Sequence, residues 1–295
     1  MEKIKIAVHN GDFHLDDVFS VAALSLHLKK EIDEFEIVRT RDDEVLAKMD
    51  YVLDVGFIYD KDKNRFDHHI GDIGKRENGI PYATFGLLWK EYGEEICESK
   101  FVADKIERKF VLPIDATDNG VVISKSVFPD FRDIFLYDVI QSFKPPWKIG
   151  GVSLEESFLK SVHFAREMIL REIEIIRGLE EAERLFREEY DKTEDKRIIV
   201  LGVECPWEEF VDSYKDVLFI VTPSALGWKA KAVLVREEYY ENRKSFPKEW
   251  SGLINADLAR VTGVSDAIFC HKALFIAVAK SREGAIKLAK IALEA

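Results

Sequence analysis

Ile4, Ile6 and Val8 alternate with polar residues up to His9-Asn10-Gly11, a pattern that predicts a strand ending in a turn. Apolar positions at helical spacing follow over 16–30, with short apolar runs at 36–39 and 51–53 and a lead-in at Phe66 to Asp67-His68-His69. Helical spacing returns over 84–92 and 100–114. Strands alternating with helices predict an α/β unit on a mainly parallel sheet. Lys144-Pro145-Pro146-Trp147 to Gly150-Gly151 breaks the pattern. A long helix then predicted over 153–190 carries an apolar stripe of Phe158, Val162, Ala165, Ile169, Ile173, Ile176, Leu179, Ala182 and Phe186. The stripe reads as a packing or domain-linking face, with a coiled-coil seam, and hence a homodimer, as the sharper alternative. Strands at 197–202, 217–222 and 229–235 and a closing helix at 281–293 predict a smaller α+β domain. The organisation expected is a first domain over 1–150, then a linking helix and a second domain over 151–295.

The 295 residues suffice for two ordinary domains, and 47% hydrophobic with 33% charged residues excludes a disordered chain. The net charge of -12 argues against a generally basic nucleic-acid binder, although bound divalent metals would cancel negative charge locally. Three dispersed cysteines, Cys97, Cys205 and Cys270, exclude a disulfide framework or a zinc ribbon. With no signal peptide, transit peptide or membrane span evident, the expected location is the cytoplasm.

The chemistry concentrates early. Five of seven histidines lie in the first 69 residues, and four of these sit beside carboxylates in two segments: 9–17, holding His9, Asp12, His14, Asp16 and Asp17, and Asp67-His68-His69. Asp54 ends an apolar strand between them, and Asp115 and Asp118 follow a later helix. Ligands of a parallel α/β sheet collect beyond the carboxyl ends of its strands, where His9, Asp54 and Asp67 fall. Imidazole with carboxylate suits manganese, iron or zinc, and two such metals suit in-line attack on phosphorus. Taken singly, Asp16-Asp17 also fits a helix N-terminus, His27 and His163 fit helix packing, and Asp118-Asn119-Gly120 fits a turn.

Asp67-His68-His69, with the other three segments in order, resembles the four metal motifs of the DHH phosphoesterase superfamily. The chain further resembles the MYG1 (GAMM1, UPF0160) branch in the pattern His-Asn-Gly-x-Phe-His-x-Asp at 9–16, Val38 to Asp42, Asp54-Val55-Gly56 and Asp115 to Gly120. It does so again in Cys205-Pro206-Trp207, Trp250 to Leu253 and Phe269-x-His271. The resemblance spans nearly the whole chain. It implies a phosphoesterase with two divalent metal ions, manganese preferred over Mg2+, Fe2+ or Zn2+, acting as a 3'-5' exonuclease on single-stranded RNA or short oligonucleotides. A small-molecule phosphoesterase or pyrophosphatase is the alternative. The chain departs from the wider pattern at His14, where the superfamily carries Asp, and at Ile70, where Gln is expected; the Gly-rich GGGH motif is absent.

The metal set expected from the resemblance is His9, His14, Asp16, Asp54, Asp67, His68 and Asp118, with Asp67 bridging and Asp115 unranked against Asp118. His69 would orient a ligand or donate to the leaving oxygen, making it, with Asp67, the catalytic pair. Arg39 and Arg41 suit phosphate oxygens or an ordinary surface pair, and His271 is a further phosphate-binding candidate. Phe143, Trp147, Trp207, Trp228 and Trp250 read as core or as base-stacking rings.

Overall fold

The computed structural model describes residues 3–71, 73–128, 130, 133–148, 151, 153–236 and 241–295. The chain divides into two compact units, Met1–Arg177 and Gly178–Ala295. The division falls inside the long helix predicted from the stripe. Of the break predicted after Lys144, residues 149 and 150 lie outside the described residues.

The first unit is built on a five-stranded sheet of β1 (Ile4–Val8), β2 (Phe35–Arg39), β3 (Tyr51–Leu53), β4 (Tyr59–Asp60) and β5 (Arg65–Phe66), in the order β2-β1-β3-β5-β4. Strands β2, β1, β3 and β5 are parallel and β4 closes the edge antiparallel. The central strands are buried on both faces. Ile6 and Val8 enter the large core, while Ala7 packs with Val52, Val55 and Leu46 of the short helix α2 (Asp43–Leu46) on the opposite side. The two-residue side-chain period of a strand produces this split.

Helices α1 (Leu15–His27) and α3 (Thr84–Cys97) bury their apolar sides in the large core. The predicted helix at 100–114 runs on to residue 118: α4 (Lys100–Ile106) passes through a π turn at Glu107–Val111 into α5 (Leu112–Asp118). After α6 (Leu136–Gln141), the helix α7 (Leu154–Lys192) spends the predicted stripe within the chain. Phe158 to Ile176 enter the first unit's core, and Ala182 and Phe186 enter an apolar cluster of the second.

The second unit holds a mixed sheet of β6 (Ile198–Val200), β7 (Phe219–Ser224), β8 (Gly227–Ala232), β11 (Ala267–Cys270) and β12 (Ile276–Ala279), in the order β11-β12-β8-β7-β6. Only β6 and β7 run parallel within it. The predicted strand at 229–235 breaks at Val233, after which β9 (Leu234–Arg236) pairs with β10 (Glu241–Asn242). Ile198, Phe219 and Val221 face helices α8 (Asn255–Thr262) and α9 (Arg282–Glu294), whereas Ile199 and Ile220 face Trp207 and Phe210. Both five-stranded sheets are therefore covered on both faces, and β3, β6 and the start of β7 read as continuous apolar runs. Among the described residues no helix is long and apolar enough to cross a membrane.

Candidate metal centre

The strand order fixes where a site can form. From β1 the chain crosses to β2 on one side and then back to β3 on the other, so a crevice opens beyond the carboxyl ends of β1 and β3. The residues that follow those strands are His9 and Asp54. Asp54 takes a left-handed backbone, φ 58°, and turns its carboxylate inward.

Asp54 is the hub. Its Oδ2 lies 3.4 Å from His9 Nε2, and its Oδ1 lies 3.4 Å from His68 Nε2 and 3.5 Å from His69 Nδ1. His68 Nε2 is also 3.0 Å from Asp118 Oδ2, and Asp17 Oδ2 is 3.3 Å from His9 Nε2. Ligand atoms of Asp54, His68 and His69 all fall within 4.8 Å of one another, as do those of Asp16, His68 and Asp118. The two groupings share His68.

The electrostatics are those of carboxylates crowded together out of water. His9 Nδ1 donates to the Asn10 carbonyl at 3.1 Å, and burial lowers its pKa, so the ring is held neutral with its Nε2 lone pair outward. That lone pair faces two carboxylate oxygens. Asp17 Oδ2 is buried without a hydrogen-bond partner. Burial, with Asp54 and Asp118 close by, pushes the Asp16 carboxyl well above its ordinary range, and burial with Asp54 does the same to Asp17. His68 responds in the opposite sense: burial disfavours its charge, but Asp118 and Asp54 outweigh burial and hold it up to about 11. An oxygen and nitrogen donor set of this kind fits one or two divalent transition-metal ions held by His9, Asp16, Asp54, His68 and Asp118.

Other expected residues have different surroundings. Asp67, buried at the end of β5, accepts from the Phe57 N–H at 2.6 Å through Oδ2, and from the His69 N–H and Nδ1 at 2.9 and 2.8 Å through Oδ1. Burial alone would raise its pKa, but these donors lower it. Asp67 in turn raises the pKa of His69, whose side chain is 52% exposed. His14 precedes α1 and is exposed, its ring 5.5 Å from that of His9.

Asp115 and Asp118 separate clearly. Asp118 joins His68, whereas Asp115 is fully buried, accepting from Arg76 NH1 at 2.7 Å and from the Gly86 N–H at 3.0 Å. Asp16 accepts from the Thr84 and Phe85 N–H groups at 3.0 and 2.7 Å. Two carboxylates from α1 and α5 thus take the first three N–H groups of α3, the end of a helix where negative charge is favoured. A Cβ at Gly86 would fall 1.8 Å from Asp115 Oδ2, so only glycine fits there.

Arg39 donates to the Gly11 carbonyl at 2.6 Å beneath the rings of Phe13 and Phe158. Arg41 NH1 donates to the Asn10 carbonyl and Oδ1 at 2.6 and 2.8 Å. Both arginines thereby fasten the turn that carries His9. His271 belongs to the second unit, before β12, where its Nδ1 accepts from the Ala273 N–H at 3.1 Å. Trp207 and Trp250 are buried and Phe143 packs on the first core, while Trp147 is 89% exposed and Trp228 is part-buried.

Three residues escape a reading of motifs. Asp17 hides in a pair that also satisfies a helix N-terminus; its Oδ1 accepts the His14 N–H at 2.8 Å, three residues back, and that spacing was the available signal. Thr84 sends its hydroxyl toward Asp54 Oδ1 at 3.4 Å. Arg76 pairs with both Asp115 and Glu107; nothing local in the sequence distinguishes it from a surface arginine.

Comparison with known proteins covers nearly the whole chain. The profile MYG1_exonuc, described as Uncharacterised protein family (UPF0160), matches residues 5–293. The MYG1 exonuclease of Homo sapiens is 28% identical over 98% of this chain and 85% of its own length. MYG1 proteins of Schizosaccharomyces pombe and Chlamydia pneumoniae are 27% and 30% identical, over 99% and 98% of this chain and 98% and 96% of theirs. With the match running from β1 into α9, the chain belongs to the MYG1 family.

Proposed function

We propose that the protein is a metal-dependent phosphodiester hydrolase that removes nucleotides from the 3' end of single-stranded RNA or short oligonucleotides. The observation that carries the reading is the convergence of His9, Asp54, His68 and Asp118, whose ligating atoms approach one another to 3.0–3.4 Å in a buried set of imidazoles and carboxylates. The exonuclease name of the human and Bos taurus relatives supports the reaction class.

Manganese or a similar divalent ion, when bound, supplies Lewis-acid charge for the phosphoryl oxygens and lowers the pKa of the attacking water. His9, Asp16, Asp54, His68 and Asp118 are the residues assigned to hold it. His69 stands at the exposed side, and because Asp67 receives its Nδ1–H, Nε2 is free to pass a proton to the leaving oxygen. The hydrogen bond to Asp67 raises the pKa of His69 and so favours its protonated form. Asp67 acts through His69 and through the Phe57 backbone. The second unit, with His271, is assigned to substrate binding.

The net charge of -12 favours the second reading, a phosphoesterase for small esters or pyrophosphate. Metal-stripped protein incubated with manganese and end-labelled single-stranded RNA separates the two. A ladder of shortened products, lost in Asp54→Asn, is expected, and the label position reports polarity. Intact RNA with turnover of pyrophosphate or a dinucleotide would overturn the nuclease reading.

A further inference from the structure

Phe57 is an anomaly beside the site. Its backbone is left-handed, φ 55°, in a stretch where Asp54 and Gly56 also have positive φ, 58° and 95°. For a bulky side chain that conformation is strained, and proteins tolerate it where the surroundings enforce it. Burial would offset the strain, yet Phe57 is 72% exposed. Its N–H is held at 2.6 Å by Asp67, the carboxylate that also orients His69. The ring stands edge-on to His69, with centroids 6.5 Å apart. Phe57, Arg41, Asp54 and His69 line one open depression of about 140 Å3, and Ile58, 51% exposed, extends the apolar surface.

We infer that Phe57 is the platform on which the nucleobase next to the reacting phosphate stacks, making this depression a base subsite. The inference rests on the phosphoester reading of the adjoining centre. An aromatic ring presents a π-face that every base matches, so the subsite takes all four bases and reads no sequence. It also answers the charge problem of an acidic chain: stacking supplies affinity where a long basic track does not. The strained backbone places the ring in solvent at the height of His69, and the Asp67 contact keeps it there.

Binding tests this without requiring turnover. Adenosine 5'-monophosphate and ribose 5-phosphate, which lacks the base, are titrated in the presence of manganese into wild type, Phe57→Gly and Phe57→Leu. Wild type is expected to prefer the nucleotide about tenfold. Both variants lose that preference, while ribose 5-phosphate binds all three proteins alike. Phe57→Gly melts at or above the wild-type temperature, because glycine accepts the positive φ and little buried surface is lost. Retained preference in both variants, or none in wild type, overturns the inference. If phosphoesters are hydrolysed but no base preference exists, the subsite fails and the functional reading stands. If the Phe57-dependent preference exists without hydrolysis, the subsite stands and the functional reading fails.

Discussion

The two five-stranded sheets of this chain are both covered on both faces, yet the units built on them treat charge differently. Among the described residues, the first unit buries Asp16, Asp17, Asp54, Asp67, Asp115 and Glu172, whereas the second buries only the neutral polar side chains Thr222 and Thr262. Removing a carboxylate from water without pairing it costs several kcal/mol, so a fold selected only for stability would resemble the second unit. The first unit has a topological switch point and the second has an ordinary mixed sheet. The carboxylates buried at that switch point, with the histidines beside them, form a donor set that fits a metal ion.

The comparison breaks first at Asp54. Asp54→Asn retains the tolerance for a left-handed backbone but removes the charge facing three histidines. Manganese-dependent phosphoester turnover should fall at least about 10^3-fold with an unchanged circular dichroism spectrum. An active variant would show that the cluster is structural.

A second effect separates buttress from ligand. Arg76→Met leaves Asp115 buried without its ion pair and should destabilise the protein by about 3–5 kcal/mol in denaturant unfolding. A small change in stability with lost metal affinity would instead put Asp115 in the metal shell.

The third prediction concerns metal and pH. In the metal-stripped protein the Asp115 carboxyl, raised by burial to about 7 despite Arg76, binds its proton more tightly folded than unfolded. The stability contributed by Asp115 should therefore be greatest below the unfolded carboxylate pKa, roughly 4, and be lost as pH rises through about 7. Asp16 and Asp17, raised for the same reason, act in the same direction. Manganese at about 100 times its Kd should add roughly 2.7 kcal/mol and add more at pH 8 than at pH 5, because bound carboxylates must be deprotonated. Melting curves at several pH values with and without manganese check both signs.

The smallest effect lies at the rim. Arg41→Ala removes two hydrogen bonds to Asn10 and should cost about 1 kcal/mol of stability. A rise in KM with unchanged kcat would add a substrate-binding role to the fastening of the turn.

Much of this was legible in the sequence, for a physical reason. The alternation through Ile4 to Val8 and the apolar run at Tyr51–Leu53 predict strands whose ends are His9 and Asp54, and strand ends are where a parallel sheet exposes ligands. Other distinctions depend on directions that sequence spacing does not encode. Asp115 and Asp118 are three residues apart on one helix, and only packing against Arg76 and Gly86 turns Asp115 away from His68. Asp67 sits in the motif, and only the fold shows that its oxygens accept from Phe57 and His69. Phe57 carried no signal, because a lone aromatic after glycine reads as loop until its φ is known.

The most direct test of the central claim is equilibrium binding of manganese to the metal-stripped chain, followed by the electron paramagnetic resonance signal of free ion. The account predicts one or two tight sites in wild type that vanish in Asp54→Asn, with stability in the absence of metal unchanged or increased. Equal manganese binding by the two proteins, or none by wild type, would contradict it.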